Sequence, residues 1–326
     1  MSTEALLDVL LDVDTGVDDA LAILLAVRHP ALRVRAITCV AGNTNVDQVV
    51  RNTLRVLDAA GAQDIPVARG AERPLLAPNR PANHVHGADG MADLGLPEST
   101  RAPVADHAVE LLRRQIMAAD QPVTLITLAP LTNIALLLRC HPAVAERIGR
   151  VVSMAGSASV GNASAVAEFN AWHDPEAAAI VLGAGLPLTL YGLDVFYQVT
   201  VPDDTIRALS AESEPGLRLA GRLLHHLGSR PRRGKRTAGP ASIGDAGAVC
   251  AVADPDGLVT QLLPVRVELT GATTRGQTVV DRREMPGEDE VHGVLPAGDP
   301  ALVDVALGVD GDRYRDLFLG ALRGAR

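Results

Sequence analysis

Asp12, Asp14, Asp18 and Asp19 fall within eight positions of one another in the segment LLDVDTGVDDA. Four carboxylates so crowded repel each other, and a hard cation with oxygen ligands is the simplest group to neutralise them. The apolar run before them and the Ala/Leu-rich run after them place the cluster at the carboxyl end of a strand and the opening turn of a helix. Open α/β sheets bind their ligands at that edge. Complementation of a helix N-terminus is the alternative reading of Asp18 and Asp19, and it needs no metal.

The elements that must hold these side chains alternate between short β-branched stretches and longer Ala/Leu segments of helical period. A strand is expected at about 5–13 and a helix at about 17–28. Further strands are expected at Val34–Val40, Ile65–Ala68, Val123–Leu128, Arg150–Met154 and Leu188–Tyr191. Asp174 before Pro175, and Thr132 before a Leu/Ala run, read as helix starts. Leu262–Leu269 and Thr278–Asp281 read as an antiparallel pair joined by a Gly-containing turn. The fold class expected is therefore α/β, one large domain over residues 1–326 with a mostly parallel central sheet flanked by helices. Two long segments lack periodicity, 70–100 and 228–241, and are expected to be mobile loops over the strand ends.

Composition narrows the partners. Apolar residues make up 47 % of the 326 and charged residues 21 %, which suits a buried sheet. A net charge of −9 disfavours nucleic acid. Three cysteines, Cys39, Cys140 and Cys250, show no paired spacing, as expected in a reducing cytoplasm. The N-terminus lacks a basic flank and no apolar run approaches the roughly 20 residues that span a bilayer, so no secretory signal and no membrane partner are expected.

Ordered short motifs extend this reading. DVDTGVDDA resembles the DxDPGxDDA signature of the nucleoside hydrolase family, with Thr15 at the usual proline. VAGN ending in Asn43, HGADG beginning at His86, LAPLTNIA around Thr132, and the stretch from Met154 through Asn162 and AEFN to DPEAA resemble later segments of that family in order and spacing. The resemblance runs from residue 12 to about 250. It implies a Rossmann-related fold, a homodimer or homotetramer, and calcium-dependent hydrolysis of the bond between ribose and base in a small-molecule ribonucleoside. By the same resemblance, Asp14, Asp19, Asp245 and the Thr132 carbonyl hold calcium, and Asp14 is also the general base. Asp18, Asn170 and Asn43 then meet the ribose hydroxyls, Asn162 and Glu168 grip the 5′-hydroxyl, and Met154 is a further substrate-binding residue.

Chemistry explains why such residues belong together. N-glycoside hydrolysis passes through an oxocarbenium-like state, with positive charge on the ring and negative charge on the departing base. Carboxylates and amides serve the ring. The base end is less provided for: in SIGDAGAV, Gly244 stands where the family has a histidine before the aspartate, so help for the departing base is left to His86, His84, a loop residue or no acid at all, with His86 the expected base contact and catalytic group.

Other readings use the same residues. DVDT also fits the DxDxT motif of haloacid-dehalogenase-like phosphatases, but those enzymes need a lysine to balance phosphate, and residues 1–230 contain none. A ribose or nucleoside binder without turnover, and a hydrolase of a modified nucleoside or of a 5′-monophosphate bound by Arg230, Arg232, Arg233, Lys235 or Arg236, are the nearer alternatives.

Overall fold

The computed structural model describes residues 6–230, 240–294 and 299–324. Among the described residues, eleven strands run in chain order: β1 Leu7–Val13, β2 Leu32–Cys39, β3 Val67–Arg69, β4 Val123–Thr127, β5 Ile148–Ser153, β6 Leu188–Leu190, β7 Thr200–Val201, β8 Ala241–Ser242, β9 Leu258–Val267, β10 Thr278–Val280 and β11 Ala301–Val309. Between them lie α1 Val17–Arg28, α2 Val46–Ala60, α3 Asn83–His86, α4 Ala108–Ala118, α5 Thr132–Cys140, α6 Phe169–His173, α7 Pro175–Leu182, α8 Leu193–Phe196, α9 Asp203–Ser210, α10 Pro215–Ser229, α11 Ala246–Ala253, α12 Glu288–Val291 and α13 Gly311–Leu322.

Nine strands form one sheet in the order β10-β9-β11-β6-β5-β4-β1-β2-β3. Its members from β3 to β11 pair in parallel, and only β9 runs against the others, antiparallel to both β11 and β10. The α/β class with a mostly parallel sheet is thus what forms. β9 and β10 pair as expected, with β9 starting at Leu258 rather than Leu262. β11 is an addition to the expected strands, and it inserts between β6 and β9.

β1 shows how the pattern builds the core. Val9, Leu11 and Val13 face the layer that contains α1, α10, α11 and α13, whereas Leu10 faces the layer of α4, α5 and α7. Successive side chains of a strand point to opposite faces, so a central strand must be apolar on both. Each fully buried Leu or Val contributes roughly 1.5–3 kcal/mol. Among the described residues no helix is long and apolar enough to cross a membrane.

Helix starts settle two expectations. The Asp174 carboxylate accepts from Ala177 N at 3.1 Å and caps α7, with Pro175 in its first turn. Thr132 opens α5, but its hydroxyl does not cap that helix; it donates instead to Asp174 Oδ2 at 2.7 Å. A carboxylate is the stronger acceptor, and it lies within reach.

Segment 70–100 contains the short α3 and is tied to the sheet edge. Ala82 N donates to Asn43 O at 3.0 Å, Asn52 Nδ2 donates to Asp89 O at 2.9 Å, and Met91 is fully buried. Of segment 228–241, residues 231–239, with Arg232, Arg233, Lys235 and Arg236, lie outside the described residues.

Candidate active site

The chain winds from β1 to β2 and β3 on one side, and β4 lies on the other side of β1, so the strand order switches at β1. Because β1, β2 and β4 are parallel, the residues just beyond them share one edge: Asp14 after β1, Asn43 after β2 and Thr132 after β4. A crevice at such a switch point is where this architecture binds ligands.

Within it, α1 starts against the cluster. Asp19 is fully buried and accepts from Asp14 N at 3.1 Å, Gly16 N at 3.0 Å and Asn43 Nδ2 at 3.2 Å. Asp14 Oδ2 accepts from Asn43 N at 2.7 Å, while its buried Oδ1 takes no hydrogen bond. Gly42 makes this close approach feasible, since a Cβ there would lie 2.0 Å from Asp14 Oδ2. Asp245, at the start of α11, joins from far along the chain: oxygens of Asp18, Asp19 and Asp245 lie within 4.8 Å of one another. The expected ligand set had Asp14 and Thr132 beside Asp19 and Asp245; the grouping by distance brings in Asp18.

Electrostatics mark the cluster as strained without a counter-charge. Burial, reinforced by Asp19 and Asp18, holds the Asp14 carboxyl well above the usual carboxylate range. Burial and the charge of Asp18 push Asp19 up to about 7. Asp245 is raised well above its ordinary value by burial first, then by Asp18, Asp19, Asp14 and Glu168. Buried, like-charged groups shift in this way when nothing neutralises them. Unpartnered oxygens on Asp14 and Asp18, in an all-carboxylate donor set, fit a hard divalent cation.

Around this centre the amides are oriented. Asn170 Nδ2 donates to Leu128 O at 3.0 Å and to Met154 O at 2.9 Å, so its amide hydrogens are spent and its oxygen is the atom left for a hydroxyl. Glu168 is buried, and its carboxylate accepts from Asn170 N and Gly156 N at 2.8 Å each and from Ala171 N at 3.1 Å. Burial nevertheless raises it to about 7. Asn162 is exposed, and its Oδ1 accepts from Phe169 N at 2.8 Å.

His86 is placed differently from a charged acid. It is buried, its Nδ1 accepts from Val17 N at 3.1 Å, and it lies 3.8 Å from Asp18 Oδ1. Burial lowers it to about 4. Such an imidazole is uncharged at neutral pH, satisfies one of the free N–H groups of α1, and keeps its one proton on Nε2. His84 is exposed.

Gly244 has φ +56, and a Cβ there would meet Asp18 Cβ at 2.8 Å and Phe196 Cζ at 3.0 Å. The room a side chain would need at this position is filled. Residues the sequence reading did not single out include Phe196 and Tyr197 beyond β6, and Asn133, which donates to Asp12 Oδ1 at 2.8 Å beneath the site. Phe196 and Tyr197 are signalled only by position, after the carboxyl end of a parallel strand, whereas Asn133 also falls inside the LAPLTNIA motif.

Comparison with known proteins agrees with this geometry. Residues 9–316 match the family described as inosine-uridine preferring nucleoside hydrolase. The chain is 38 % identical over 314 residues to the pyrimidine-specific ribonucleoside hydrolase RihA of Shewanella sp. (strain ANA-3), covering 96 % of this chain and 95 % of the relative. It is 40 % identical over 311 residues to the non-specific ribonucleoside hydrolase RihC of Salmonella enteritidis PT4 (strain P125109), covering 95 % and 96 %. The solved structure of a plant nucleoside hydrolase, the PpNRh1 enzyme, superposes with a TM-score of 0.87 at 28 % identity, covering 97 % of this chain and 98 % of that one. With the acidic crevice, the oriented amides and these likenesses together, the chain belongs to the inosine-uridine preferring nucleoside hydrolase family and is a hydrolase acting on N-glycosyl compounds.

Proposed function

We propose that the chain uses calcium to hydrolyse ribonucleosides to ribose and free base. The observation that supports this most is the set of buried carboxylates at the β1 edge, with unpartnered oxygens on Asp14 and Asp18. Asp14, Asp19, Asp245 and the Thr132 carbonyl are the groups to hold the ion, with Asp18 beside them. Calcium suits them because it accepts about six to eight oxygens, enough for these groups, a water and two sugar hydroxyls. When bound, the ion lowers the pKa of a water and fixes the sugar diol.

The chain's own residues do the rest. Asp14 accepts the proton of the attacking water through its free Oδ1. Asn170 presents its oxygen to a ribose hydroxyl, with Asp18 and Asn43 alongside, and the surrounding negative charge favours the cationic ring. Glu168 keeps the Asn170 and Gly156 amides in place, and with Asn162 it serves the 5′ end. Neutral His86 contributes a positioned α1 N-terminus, with Nε2–H as its only proton for a base. A site built to bond the 2′-hydroxyl should reject deoxyribosides by about 10⁴-fold or more.

The relatives' names divide over the base, one pyrimidine-specific and one non-specific. The test is a panel of inosine, adenosine, guanosine, uridine and cytidine with their 5′-monophosphates, assayed with calcium and after chelation. Ribose release that chelation abolishes supports the reading. Tight binding with no base released over hours would replace it with a nucleoside binder.

A further inference from the structure

α5 opens with two polar residues, and the function proposed above uses only the first. Thr132 offers its carbonyl, and its hydroxyl is spent on Asp174 Oδ2 at 2.7 Å. Asn133, the next residue, is fully buried. Its Nδ2 donates to Asp12 Oδ1 at 2.8 Å and to Cys39 O at 3.1 Å, while its Oδ1 accepts from Ala71 N at 2.9 Å. Two acceptors at the nitrogen and a donor at the oxygen leave a single orientation for this amide.

Each of its three partners leads to Asp14. Asp12 lies on β1, two residues before it. Cys39 ends β2, and the next residue, Val40, donates its N–H to Val13 O at 3.0 Å, which ties the two strands immediately before Asp14. Ala71 stands at the root of the 70–100 segment. Its carbonyl accepts from Ala41 N at 2.9 Å, beside the turn from which Asn43 N holds Asp14 Oδ2 at 2.7 Å. One side chain on α5 thus joins the end of β1, the end of β2 and the root of that segment to the backbone that carries the Thr132 carbonyl. The space for it is kept by Gly70, where a Cβ would run into both polar atoms of the Asn133 amide and into Cys39 O.

We propose that Asn133 is a positioning residue for the ion: its carboxamide fixes the Thr132 carbonyl relative to Asp14, so that one cation can use both. This rests on the calcium reading above. Asp14 and Thr132 are far apart in sequence, and only packing sets the distance between them. Ligands already held at their working separation need no ordering when the ion arrives, and groups that orient metal ligands from behind typically contribute about 10- to 100-fold in affinity. An amide does this without adding charge to a crevice crowded with carboxylates.

The test is a calorimetric titration of calcium into chelator-treated protein, wild type and Asn133→Leu, a substitution close in size that removes all three bonds, with the melting temperature of each protein recorded. The dissociation constant for calcium should rise about 10- to 100-fold in the variant. Thr38→Val is the control. Thr38 donates to the same Asp12 Oδ1 at 2.6 Å and to Leu11 O at 3.2 Å, both on β1, so its loss should lower the melting temperature yet keep calcium affinity within about threefold of wild type. Gly70→Ala presses on the Asn133 amide without removing it; it should weaken calcium binding in the same direction, and it decides the matter if Asn133→Leu does not fold. Calcium affinity within about threefold of wild type in the deciding variant overturns the proposal. So does a Thr38→Val protein that loses as much affinity as that variant, since the loss would then follow stability rather than position. A wild-type protein that takes up no calcium refutes the calcium reading itself, and the wild-type titration tells that failure from the other two.

Discussion

Gly42→Ala should disable the site without altering a single group that touches substrate. Gly42 is not in the left-handed region, so alanine meets no backbone strain there. The obstacle is space: the new Cβ would lie 2.0 Å from Asp14 Oδ2, 2.8 Å from its Cγ and 3.0 Å from its Cβ. Ordinary contact starts near 3.4 Å, a shortfall of 1.4 Å at the carboxylate oxygen. The whole Asp14 side chain is in the way, so a small rotation of its tip does not relieve the clash. Moving it breaks the 2.7 Å bond from Asn43 N. Overpacking of this kind costs about 1–3 kcal/mol, and a hydrogen bond to a charged group is worth about 1.5–3 kcal/mol. A displacement of about 1 Å in a reacting group lowers turnover on the order of 100-fold. Steady-state kinetics on the best nucleoside should therefore show kcat down about 100-fold or more, with calcium affinity weakened in a parallel titration. Thermal melting of the variant, and of Gly320→Ala as a control in open space on α13, separates this from unfolding. A Gly42→Ala enzyme within threefold of wild type in kcat/KM would refute the assignment of Asp14 as general base and ion ligand.

Other outcomes follow from the same geometry. Asp14→Ala should lower kcat by about 10³-fold or more, measured as reducing sugar released under saturating calcium. Gly244→His, which would restore the residue expected from the family, should gain nothing and lose about 1–3 kcal/mol in denaturant unfolding, because φ +56 and the contacts with Asp18 and Phe196 leave it no room. The metal-free protein should also become less stable as pH rises through about 7. Asp19 and Glu168 are raised to about 7 in the fold, so the stability their protonation contributes is fully present below their unfolded values and lost through that pH. His86 and His173, lowered to about 4, act in the opposite sense as pH falls. Calcium should remove most of the alkaline loss, and scanning calorimetry at pH 6 and pH 8, with and without the ion, checks this.

Much of the site was legible because its signals are local. The Asp12–Asp19 run needs only one strand end and one helix start to bring its carboxylates together, and DPEAA specifies its own cap at Asp174 through an acceptor three residues from its donor. Strand alternation and helical period likewise act over a few residues, and they suffice for the parallel α/β class. Tertiary structure alone decided what depends on partners distant in sequence. It put β11 between β6 and β9, a question of sheet order that a single strand's pattern does not contain. It gave His86 the Val17 amide, 69 residues away, and buried it, and burial rather than residue type sets the charge of an imidazole. It filled the space beside Gly244 with Phe196 and Asp18. Residue types determined which chemistry was available to this protein; packing determined which atoms were left free to perform it.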